Sequence, residues 1–99
     1  MTKPRNILVN LGGIKVAIAP HELFCYLAKV YADPGSTLPT EVFGTPEHEE
    51  AWTFVRGAIR GKELAYGTVE MWDVGYPQNP KKVKDLGRID RPSQDPVLS

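Results

Sequence analysis

The chain has 99 residues, of which 41% are hydrophobic, and its 12 Lys and Arg are balanced by 12 Asp and Glu. That length holds a single domain, and the formal net charge of zero excludes bulk electrostatic attraction to nucleic acid or anionic lipid. The lone cysteine, Cys25, excludes an internal disulfide and points to a reducing, cytoplasmic compartment.

No stretch has the length and hydrophobicity of a membrane span. Lys3 and Arg5, followed by an apolar run and the small pair Ala17 and Ala19, imitate a secretory leader. Asn10 and Lys15 interrupt that run, however, and Pro20 falls just past the supposed cleavage point. The alternation fits a β-hairpin better. Ile7, Val9 and Leu11 share one side of its first arm, Ile14, Val16 and Ile18 share one side of the second, and Gly12-Gly13 supplies the turn. Such a hairpin needs a further strand or a helix over its apolar face.

Residues 21–32 then predict a first helix, with Leu23, Leu27, Val30 and Tyr31 at helical spacing and Phe24 widening the stripe. Asp33-Pro34-Gly35 ends it, and residues 34–44 read as a loop pinned by Phe43. Thr45 as N-cap and Pro46 as first residue open a second helix, with Gly61 as its stop. Its buried stripe is Ala51, Trp52, Val55, Ala58 and Ile59. Residues 64–74 predict a strand with Tyr66, Thr68 and Trp72 on one face and Val69 and Met71 on the other.

The expected fold is therefore α+β: a small antiparallel sheet, made of the hairpin and a third strand, packed by two helices in the order ββααβ. Residues 1–74 form this single domain. Residues 75–99 form an extended C-terminal arm, polar, basic and proline-containing, in which the run from Gly87 to Asp90 could add an edge strand.

Charge is distributed unevenly along the chain. Glu41, Glu47, Glu49 and Glu50 cluster without a base, whereas Lys81, Lys82, Lys84, Arg88 and Arg91 outnumber Asp85 and Asp90. His21 and Cys25, four apart on the expected first helix, have the spacing of a Cys–His pair or half a metal site. A zinc site needs two further ligands and the only other histidine is His48, so neither metal nor cofactor is expected. The acids around His48 fan out at a helix start, where the dipole alone favours them. Gly12-Gly13 lies between strands and lacks the pattern of a phosphate cradle.

The leading expectation is a non-catalytic binding or regulatory protein acting through a protein–protein interface. Trp72, Tyr76, Lys81, Lys82 and Lys84 are its contacts, with Glu47, Glu49 and Glu50 as a second surface. The size also suits an accessory protein or inhibitor from a phage or mobile element. The alternative is a nucleic-acid-binding domain using Arg56, Arg60, Lys62 and Tyr66 with the basic arm; a small enzyme around His21 and Cys25 ranks third. Self-association to a homodimer is a separate expectation, from the small core and the hairpin's apolar arms.

Overall fold

The computed structural model describes residues 6–91. They form β1 (Ile7–Leu11), β2 (Ile14–Ile18), β3 (Phe24–Tyr31), β4 (Glu41–Thr45), α1 (His48–Gly61), β5 (Tyr66–Asp73) and β6 (Lys81–Asp90). β1 and β2 pair as a two-stranded antiparallel sheet, and the other strands form a four-stranded antiparallel sheet in the order β4-β3-β5-β6. This overturns the two-helix ββααβ arrangement: among the described residues there is one helix, and the hairpin stands apart from the main sheet.

The segment read as the first helix is β3, the strand paired on both sides. Its Ala28 and Val30 join one core with α1, while Cys25 and Leu27 join another with the hairpin. A strand buried on both faces shows a nearly continuous apolar run, which periodicity does not separate from a helix. Phe24, Cys25, Tyr26, Val30 and Tyr31 are the aromatic and other residues that fit a pleated surface. The expected loop 34–44 contains the start of β4, whose Phe43 stacks on Phe54 of α1 with ring centroids 4.9 Å apart.

The hairpin turns at Gly12 and Gly13, with φ of 66° and 99°, the left-handed angles that a tight two-residue turn demands. Val9, Leu11, Val16 and Ile18 are buried against the sheet. Hence the apolar arms that suggest self-association are covered by the chain's own β3, β4 and β5.

α1 starts at His48 with Glu47 in the cap position, whose side chain makes no capping bond. Thr45, the last residue of β4, does this work from two residues upstream. Its Oγ1 accepts the Glu47 N–H at 3.1 Å and donates to Glu50 Oε1 at 2.6 Å. Ala51, Val55, Ala58 and Ile59 are buried, and the helix lies across β3 and β5, with the Cβ position of Gly67 only 2.6 Å from Val55 Cγ1. The chain leaves the helix through Lys62, and Glu63 adopts a left-handed φ of 54°.

Lys81–Asp90, placed by the sequence in the polar arm, pairs with β5 along its length. The register shifts between Val69 and Glu70 and again between Met71 and Trp72, so that Leu86 and Val83 have no partner opposite. These bulges space the strand's apolar residues Val83, Leu86 and Ile89 three apart, which erases the period-two signal. Leu86 and Ile89 pack on the helix-side core. Lys3, Arg5 and the end of the arm, residues 92–99, lie outside the described residues.

Candidate interaction surface

Three chain segments meet at one end of the sheet. Phe24, the first residue of β3, pairs with Asp73, the last of β5, which in turn pairs with Lys81, the first of β6. The Val74 N–H donates to Leu23 O at 2.9 Å, and the Gly75 N–H to Asp73 Oδ1 at 2.9 Å. The Asn79 N–H then closes a turn on Tyr76 O at 2.8 Å. The turn drives Tyr76 outward, where 79% of its surface is exposed, beside Leu23 at 62% and Phe24 at 40%. Asp73, Tyr76, Gln78, Asn79 and Lys81 wall a groove of about 440 Å³.

The apolar strip continues along the helix-side face of the sheet. Half-buried Tyr26 pairs with Met71, and Met71 with exposed Lys84. The His48 ring lies 5.1 Å from that of Tyr26, and Trp52 Nε1 donates to His48 Nε2 at 3.0 Å. The N-terminal end of α1 thus leaves an aromatic row only partly covered, with Lys81 and Lys84 at its rim.

The opposite face is organised around Glu70, a buried carboxylate. It accepts from Trp72 Nε1 at 3.0 Å, meets Lys29 Nζ at 3.1 Å, and has Lys82 Nζ at 3.7 Å. Lys82 also pairs with Asp85 at 2.9 Å. The hydrogen bond to Asp85, reinforced by the Glu70 charge, holds Lys82 above the ordinary lysine range. Beside this network Tyr66 stacks on Tyr31 at 4.4 Å, the Arg88 guanidinium covers the Tyr66 ring at 3.8 Å, and Tyr66 Oη donates to Ser36 O at 2.6 Å. A buried charge is tolerated when it is paired and hydrogen-bonded in this way.

The sequence-derived candidates therefore separate. Tyr76, Lys81 and Lys84 belong to the exposed sheet end. Trp72 packs into the hairpin-side core, its indole 3.6 Å from the Cβ position of Gly12, and Lys82 and Tyr66 are engaged in the face around Glu70. Glu47, Glu49 and Glu50 stand at the start of α1, with Glu50 held by Thr45. Arg56 and Arg60 are exposed on the outer side of α1, and Lys62 bonds Glu41 at 2.5 Å.

His21 lies in the turn before β3 and meets Glu22 at 3.2 Å. Cys25 is buried on β3 and donates to Thr45 O at 3.4 Å. With no helix there, the i, i+4 geometry is gone. Burial pushes the thiol up to about 11, the opposite of an activated nucleophile. Among the described residues no group of three or more His, Cys, Asp or Glu has the geometry to hold a metal ion, and no helix is long and apolar enough to cross a membrane.

Leu23 and Phe24 are surface residues that the helical reading of 21–32 places in a buried stripe. The aromatic-rich composition of 24–31 is the signal that finds Phe24 once that segment is treated as a strand. No protein-family model, curated protein or solved structure matches the chain.

Proposed function

We propose that this chain is a non-catalytic binding protein that acts by occupying a partner protein through the sheet end around Tyr76. The observation that carries the reading is that one sheet end exposes Leu23, Phe24 and Tyr76 together, with Tyr76 and Lys81 lining a groove there. A tyrosine on a tight turn buries a large area while losing little conformational freedom. Pro77 and Pro80 limit the entropy lost when the loop docks. A partner suited to this surface offers an apolar ridge with acidic neighbours, which Lys81 and Lys84 meet. The lone, buried Cys25 fits operation in a reducing compartment.

Affinity capture from the native host, comparing the wild-type chain with the double substitution Leu23→Ser and Tyr76→Ser, tests the reading. Both side chains are solvent-facing, so the melting temperature should stay within a few degrees of wild type. The wild type should recover a partner that the double variant loses. Equal recovery by both proteins would remove the sheet end from the mechanism.

A further inference from the structure

One flank of α1 carries a second, separate groove of about 390 Å³, lined by Thr53, Phe54, Gly57, Ala58, Gly61 and Lys62. Phe54 forms one wall, fixed by its stack on Phe43, and the groove is mostly apolar. Its floor is helix backbone, because Gly57 and Gly61 present no side chain. The fold gives no reason for glycine at position 57, since a Cβ built there meets nothing within 4 Å and glycine destabilises a helix interior.

The charges along the exposed side of α1 are self-complementary. Glu49 and Glu50 stand at one end of the helix, and Arg56 and Arg60 toward the other. Among the described residues Glu49, Arg56 and Arg60 make no ion pair within the chain. Arg56 and Arg60 also sit four apart, a like-charge spacing that weakens an isolated helix. Both features are relieved by acidic groups arriving from outside.

We propose that two copies of this chain associate through this face, α1 against antiparallel α1, with the two-fold axis passing midway between Thr53 and Gly57. Residues equidistant from such an axis face one another. Thr53 then meets Gly57 of the other copy, where the missing side chain lets the backbones approach, and Glu49 and Glu50 come alongside Arg60. The pairing also sets the helix dipoles head to tail. The sheet end around Tyr76 lies elsewhere and stays free to bind a partner.

Sedimentation of the full chain across concentration, at low and moderate salt, tests the proposal. The wild type should form a dimer that weakens as salt rises. Arg60→Glu and the double substitution Glu49→Lys with Glu50→Lys should each weaken it by about tenfold or more, and an equimolar mixture of the two should recover a dimer, because both crossed sets of charges are again opposite in sign. Gly57→Leu should keep the helical circular dichroism of the wild type and lose the dimer, whereas Tyr76→Ser should keep it. A wild type that is monomeric at every concentration overturns the proposal. So does a dimer that survives Arg60→Glu, or charge-swapped copies that fail to associate. If Gly57→Leu does not fold, the charge-swap pair still decides.

Discussion

The helix-covered face of the main sheet is dry and tightly fitted, whereas the hairpin-covered face is apolar over one half and ionic over the other. On the first, Ala28, Val30 and Val69 meet Ala51, Val55, Ala58 and Ile59, and α1 is tied to the sheet by short connections at both ends. On the second, Val9, Leu11, Val16 and Ile18 cover Cys25, Leu27 and Val74, and beyond them Glu70, Lys29, Lys82 and Arg88 take over. The hairpin belongs to a separate sheet, so side-chain burial rather than a shared hydrogen-bond ladder holds it in place. A small chain has too few apolar residues to seal both faces fully, and here the ion-pair network completes the one that the hairpin leaves open.

The largest effect that should expose this difference is Leu11→Ala. Leu11 is fully buried at the centre of the hairpin-side core, and such a truncation costs about 2–5 kcal/mol. Because no ladder ties β1 and β2 to the main sheet, native-state hydrogen exchange should show their amides losing protection first, with β3 and β5 retaining theirs. Equal loss in all strands would mean that the two layers open as one unit, and the contrast between the faces would fall.

Gly67→Ala probes the helix-covered face and should cost less, about 1–3 kcal/mol by overpacking. The added Cβ would stand 2.6 Å from Val55 Cγ1, 3.0 Å from Val30 Cγ1 and 3.2 Å from Lys29 O. The last of these is backbone and does not yield. Urea unfolding should show a lower midpoint with an unchanged slope, and adding Val55→Ala should recover part of the loss, since the two positions share one contact. Strict additivity of the two substitutions would show that the helix is not seated as closely as the distances indicate.

How much of this was legible beforehand follows from the same contrast. The hairpin is readable because one of its faces is solvated: Leu8, Asn10, Lys15 and Ala17 are exposed between buried neighbours, and Gly12-Gly13 marks the turn. α1 is readable from its stripe and charge placement, although Thr45 stabilises its start from inside β4 rather than as the cap. β3 is not readable as a strand because both of its faces are buried, so the alternation disappears. β6 escapes for the opposite reason. It is exposed almost throughout and twice bulged, with apolar residues three apart. Of the candidate surface, Tyr76, Lys81 and Lys84 were visible as a tyrosine and lysines in a proline-marked segment. The helical reading of β3 hides Leu23 and Phe24, and nothing in the local sequence marks Glu70 as buried.

The smallest effect concerns Cys25, and it tests how well the hairpin excludes water. The thiol is fully buried, and desolvation raises it from 9.0 to about 11, partly opposed by backbone hydrogen bonds and assisted by Glu22. A folded-state value above the unfolded one means that the folded chain holds the proton more tightly. The associated stability is complete below pH 9, falls as the unfolded thiol ionises, and is fully lost once the pH passes about 11. By pH 10 the loss should reach roughly 1.4 kcal/mol, one pH step above the unfolded value. The quantity to measure is the difference in slope of stability against pH between the wild type and Cys25→Ala, which isolates the thiol from every other group. The wild type should fall more steeply between pH 8.5 and pH 10, a window set by the shift from 9.0 to about 11. Parallel slopes would place water next to the thiol, which requires the hairpin to lift from the sheet in the native state and would make that half of the face no drier than the ionic half beside it.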